Sequence, residues 1–258
     1  MSLVSNGVPN TESSWLSVQY SPEERTEGAN KAFGLCVKPL YGGYNRALWM
    51  VEFINFYQLL GVTHITFYNH SIGPDVDQVL RHLMRPDIKE GRGLSVRVLP
   101  WSLPVESQMK IRTEAQFSAL NDCNLQFINR VKYAAMVVRT QTQILYMSKV
   151  VLFKDLDEFL IPRTHDNLTS LLDELNKANI ASFSFQNVFF YLYWANDTSV
   201  MKDLALNGIP DTADTYLLTM YKTRRLAKTH RHGSRSKYVV KPENVVECGN
   251  HAVWLYRE

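Results

Sequence analysis

Val150-Val151-Leu152-Phe153-Lys154-Asp155-Leu156-Asp157-Glu158-Phe159 sets an unbroken apolar run directly before three carboxylates packed into four positions. A strand apolar on both faces belongs in the middle of a parallel or mixed sheet that is covered by helices. Ligands of such sheets bind at the carboxyl ends of the strands. Asp155 and Asp157 are two residues apart, so they project to one side as the chain leaves the sheet and can together hold a hard divalent cation. A phosphate is the natural further ligand. Acidic residues at strand ends also begin turns and cap helices. Three carboxylates this close repel one another unless a cation or a proton intervenes, which favours the metal site.

The elements around this strand repeat one rhythm. Phe33 to Val37 reads as a short strand ended by Lys38-Pro39, followed by the Tyr41-Gly42-Gly43-Tyr44-Asn45 loop and a helix from Arg46 to Leu60 that Gly61 caps. His64 to Tyr68 is a β-branched and aromatic strand, Val76 to Met84 a helix, and Leu94 to Leu99 a third strand. Alternating strand and helix predicts a parallel α/β sheet. Glu106 to Leu120 carries a helical pattern, and residues 124 to 149 read as amphipathic and helical in part. Beyond the acidic motif come a helix from Leu168 to Lys177, a strand from Ala181 to Phe185, a loose stretch from 196 to 214, and strands at Thr215 to Met220 and Lys237 to Val240. Residues 1–30 are polar and read as a linker or stem remnant, leaving 31–258 as the folded domain.

Composition narrows the function. A chain of 258 residues with 45% hydrophobic side chains buries a full core. Its 28 basic and 25 acidic groups leave +3, too little for a general nucleic-acid binder. Cys36, Cys123 and Cys248 leave an odd thiol and show no zinc spacing. Sequons stand at Asn69, Asn167 and Asn196. There is no apolar stretch of about eighteen residues and no signal-like N-terminus. The ending in strand-like Val253-Trp254-Leu255-Tyr256 suggests a fragment.

Lys222, Arg224, Arg225, Lys228, His230, Arg231, His232, Arg235 and Lys237 form the dense cation cluster of the sequence. The segment is a solvated loop or a lid that folds over a diphosphate. His251 opens an apolar strand, where a neutral imidazole could complete a metal shell. The aromatic stretch Phe189 to Trp194 fills the core or stacks a sugar ring, with the core favoured.

Seven motifs, in order, resemble glycosyltransferase family 92. They are Lys38-Pro39-Leu40-Tyr41, Leu120-Asn121-Asp122-Cys123, the acidic motif, Phe183 to Phe190, Lys222-Thr223-Arg224, Arg235-Ser236-Lys237-Tyr238 and Gly249-Asn250-His251-Ala252-Val253-Trp254. The resemblance implies a Rossmann-like GT-A fold: α/β, with a mixed, mainly parallel sheet flanked by helices. It also implies a single-pass type II membrane protein of the Golgi that transfers galactose from UDP-galactose in β1,4 linkage to fucose or galactose on the glycans of glycoproteins. By the same resemblance Asp155 and Asp157 hold Mn2+ against the UDP diphosphate, with His251 as a further ligand. Lys38, Pro39, Tyr41, Asn121 and Asp122 fall at uridine and ribose, and Lys222, Arg224, Arg235 and Lys237 at the diphosphate and sugar.

The resemblance has two departures. Val131 to Tyr146 looks like inserted material before the acidic strand. The membrane anchor, most of the stem and a C-terminal part of the acceptor site are expected to lie outside this fragment, which is itself soluble. An inverting transfer needs a carboxylate to take the proton of the acceptor hydroxyl, and Glu247, Asp211, Asp214 and Glu158 are the candidates. The rivals are an inactive transferase-like domain that binds glycans or partners and, further off, a metal-dependent phosphohydrolase.

Overall fold

The computed structural model describes residues 26–102, 112–137 and 156–258. Strand β1 (Phe33–Val37) is buried along its whole length and leads to helix α1 (Ala47–Leu59). Strand β2 (His64–Asn69) is followed by α2 (Pro74–Leu83) and α3 (Pro86–Arg92), then by β3 (Ser95–Pro100). Pro74 stands in the first turn of α2 with Asp75 and Asp77, while Arg81 and His82 close its last turn. That distribution opposes the helix dipole at both ends. Helix α4 (Gln116–Phe127) precedes β4 (Tyr133–Val137). After the acidic motif come α5 (Leu168–Leu175), β5 (Ser182–Phe185), α6 (Thr198–Leu206), α7 (Leu218–Tyr221), β6 (Lys237–Val240), β7 (Val245–Cys248) and β8 (Val253–Tyr256).

Six strands form one sheet in the order β3-β2-β1-β4-β6-β5, and β7 pairs with β8 in a separate hairpin. The pairs β3·β2, β2·β1 and β1·β4 are parallel, while β6 runs antiparallel to both β4 and β5. The sheet is therefore mixed and mainly parallel, as the α/β rhythm requires. On one face Leu35, Val37, Ile65 and Phe67 pack against Phe53, Ile54 and Tyr57 of α1, Leu80 of α2 and Leu172 of α5. On the other, Cys36, Tyr68, Met136 and Tyr238 meet Ala119, Leu120, Cys123 and Phe127 of α4. Gly34 permits this close approach, because a Cβ there would lie 2.6 Å from the Phe127 ring. A Cys36–Cys123 disulfide ties β1 to α4, and Cys248 is the odd thiol.

Three stretches differ from the sequence reading. The apolar run Val150 to Phe153 lies outside the described residues, while within 124–149, read as helical in part, Tyr133–Val137 forms a strand beside β1. All five of those residues are buried, so both faces of β4 are covered. Ala134, Ala135 and Met136 read equally well as helix; Asn129, at φ 60°, breaks the helical path before them. The stretch 196–214 is more regular than its turn residues suggest, because the Asp197 side chain accepts from Ser199 N at 3.0 Å and starts α6. Thr215 to Met220 is no strand. Glu52 on α1 accepts from Thr219 N and Oγ1 at 2.7 and 2.8 Å, caps that turn and holds it as α7.

Candidate active site at the carboxyl edge of the sheet

Parallel pairing brings the exits of β1, β2, β3 and β4 to one edge. Lys38, Pro39 and Tyr41 follow β1, His70 and Ser71 follow β2, and Trp101 follows β3. The antiparallel β6 contributes its beginning to the same edge. Met136 pairs with Tyr238 and Phe185 with Lys237, so Arg235, Ser236 and Lys237 stand where β4 and β5 end.

The acidic motif reaches this edge through its second half. Leu156 and Leu160 are buried in the core under α1. The Tyr57 hydroxyl donates to Glu158 O at 2.9 Å and accepts from Leu160 N at 3.3 Å. Between these anchors Asp157 is exposed at the edge. Asp155 lies outside the described residues. Glu158 turns inward and pairs with Lys237 Nζ at 2.6 Å, the two side chains being 14% and 8% exposed. Two groups read separately from the sequence, one as a base and one as a sugar-side cation, are thus one buried ion pair.

His251 lies beside this pair. Burial, then the charge of Lys237, pull its imidazole below the ordinary value of 6.5, so the ring is neutral at physiological pH. Nδ1 donates to Ser236 O at 3.3 Å, which leaves the lone pair on Nε2, 3.1 Å from Asn250 Nδ2. Arg235 also acts on His251, packs over the Phe189 ring at 5.3 Å, and has a buried Nη1 without a hydrogen-bond partner. A buried guanidinium nitrogen without an acceptor is costly unless a ligand supplies one.

Other expected contacts are occupied by the fold. Asn121 accepts from Cys248 N at 2.6 Å and donates to Cys248 O at 3.1 Å, which fixes the β7 end on α4. Asp122 accepts from the Tyr68 hydroxyl at 2.6 Å. Lys222 Nζ donates to Trp194 O at 2.6 Å, whereas Arg224 is exposed. The buried Lys38 ammonium sits 5.4 Å from the centre of the Tyr41 ring. Among the candidate bases, Asp214 accepts from Asn196 Nδ2 at 3.0 Å, Asp211 opens the 3-10 turn that precedes α7, and Glu247 is exposed on β7. That bond uses the amide nitrogen a glycan on Asn196 would occupy. Asn167 caps α5, accepting from Ser170 N at 2.8 Å, and Asn69 ends β2.

The aromatic stretch is not core. Phe190 and Tyr193 are exposed, and Tyr191 packs between Phe189 and Trp194 on the protein surface. One further group had no signal in the sequence. Glu114 is buried, its carboxylate 3.5 Å from His70 Nε2, with Trp101 Nε1 donating to its backbone oxygen at 2.7 Å. Only the topology, which brings the ends of β2 and β3 against the start of α4, puts these residues together.

Among the described residues no three His, Cys, Asp or Glu side chains converge as a metal shell, and no helix is long and apolar enough to cross a membrane. The mixed, mainly parallel six-stranded sheet flanked by helices is that of an α/β domain compatible with the GT-A type. The glycosyltransferase family 92 model matches residues 31–137 and 141–258, and the chain belongs to that family. β4 and the residues after 140 thus fall inside the matched regions, so Val131 to Tyr146 is not wholly extra material. No curated protein and no solved structure gives a significant match.

Proposed function

We propose that this glycosyltransferase binds UDP-galactose at the carboxyl edge and transfers galactose, with inversion, in β1,4 linkage to fucose or galactose on glycans. The observation that carries the reading is the buried, unpartnered Nη1 of Arg235 beside neutral His251, in a chain of family 92. A diphosphate oxygen is the acceptor that Nη1 lacks.

The donor set at this edge suits Mn2+ or a similar divalent ion. Asp157 offers carboxylate oxygen and His251 an imidazole lone pair held by its tautomer, with Asp155 the expected third ligand. When bound, such an ion offsets the charge that develops on the departing UDP. Arg235 holds the diphosphate from the protein side. The ion pair between Lys237 and Glu158 fixes β6 against the acidic motif, which keeps Arg235 and Asp157 in register. The base that takes the acceptor proton is drawn from Asp211, Asp214 and Glu247, since Glu158 is turned into the interior with its Oε1 on Lys237 Nζ. The Cys36–Cys123 disulfide supports a secretory compartment such as the Golgi lumen, where such bonds persist.

UDP release from UDP-galactose, with and without fucosyl and galactosyl acceptors, tests this reading. Release that requires the acceptor, and that falls at least tenfold in one of Asp211→Asn, Asp214→Asn and Glu247→Gln, is expected. Turnover equal to wild type in all three variants would contradict the assignment of the base.

A further inference from the structure

The opposite edge of the sheet carries a second cleft, about 880 Å3 in volume, at the amino ends of β1, β2 and β3. It exists because α4 covers β1 and β4 but leaves the same face of β2 and β3 open near their starts. His64, Thr66 and Arg97 share that face, since His64 pairs with Ser95 and Thr66 with Arg97 in parallel register. Lys31 approaches from the turn before β1, Lys89 from α3 and Arg130 from the turn after α4. Four cationic side chains therefore ring one cleft, with Glu27 the one carboxylate among the described lining residues.

Among the described residues none of the four cations makes an ion pair, and Arg97 spends one guanidinium nitrogen on neutral Gln126. Arg130 Nε is buried without a hydrogen-bond partner. His64 registers the same field, being pulled below its ordinary value by burial and by the charges of Lys89 and Arg130. Like charges held together in a concave, partly apolar site cost folding energy unless a ligand compensates. Phe127 and Ala32 in the lining provide a surface for a ligand's non-ionic body, and the volume falls in the range of small-molecule sites.

We propose that this cleft is a second binding site, distinct from the carboxyl-edge site, for a phosphate or sulfate monoester group. Arg130 and Arg97 would meet the oxyanion with paired N–H donors, and Lys89 and Lys31 would add charge at the rim. The proposal does not depend on the donor or acceptor of the transfer reaction.

Calorimetric titration of the full chain with a hexose 6-phosphate, a hexose 6-sulfate and inorganic phosphate, at low salt, tests it. The site predicts saturable binding of at least one of these probes, weakened at least tenfold in Arg130→Gln and in Lys89→Gln, with melting temperature not lowered and UDP binding unchanged in the Lys89→Gln protein. Tighter binding of an ester than of inorganic phosphate identifies a carbohydrate-borne group. Equal binding identifies the free ion as the ligand. No saturable binding of any probe, or binding unaltered in the Lys89→Gln protein, would overturn the proposal.

Discussion

At the scale of single residues, two oppositely charged side chains meet inside a nearly dry edge. Lys237 and Glu158 are both close to fully buried, so removing one partner leaves the other charged without compensation, at a cost of about 3–5 kcal/mol. Lys237→Met is expected to lower stability by about that amount in urea unfolding; a loss under about 1 kcal/mol would mean the pair is in effect solvated. His251 makes a prediction of opposite kind. Its folded value lies below the ordinary 6.5, so between the two values the unfolded chain holds more protons and stability rises with pH. Acidification below about 6.5 therefore costs stability, and His251→Gln should flatten part of that fall when unfolding midpoints are compared at pH 7.5 and 5.5. His64 shifts in the same direction and accounts for a further part of it. The sequence marked His251, Lys237 and Glu158 individually. Their pairing was not legible, because it depends on β6 running antiparallel to β4, a fact that no local pattern carries.

At the scale of elements, the early strands and helices follow from periodicity and caps, and β1, α1, β2, α2 and β3 stand within a few residues of their expected bounds. The failures have two causes. β4 is too short to be told from a helix by composition, and α7 exists because a carboxylate 167 positions earlier caps it. The β7–β8 hairpin gives an element-scale test. Asn121 holds both backbone groups of Cys248, so Asn121→Ala should cost about 1–3 kcal/mol and speed amide exchange at Cys248. Gly249 is crossed by the Trp254 side chain, which itself packs on Phe117 at 4.8 Å. Gly249→Ala is expected to displace the indole and change its fluorescence, whereas an unchanged spectrum would mean that Trp254 is not held there.

At the scale of the whole molecule, the disulfide joins positions 87 apart and fastens the central strand to the helix on its second face. Cys36→Ser is expected to lower stability by about 2–5 kcal/mol, read as the shift in urea unfolding under oxidising conditions. The α/β class could be read from the sequence, since it follows from apolar strands alternating with helical patterns. The cleft at the amino edge could not, because its cations come from four separate elements. The central claim is that the carboxyl edge is a nucleotide-sugar site. Calorimetric titration of UDP into the chain, with and without Mn2+, and into Asp157→Asn and Arg235→Gln, tests it most directly. Saturable binding that needs Mn2+ and weakens at least tenfold in both variants is the predicted result. Absence of UDP binding in folded wild-type protein, or binding equal in both variants, would contradict it.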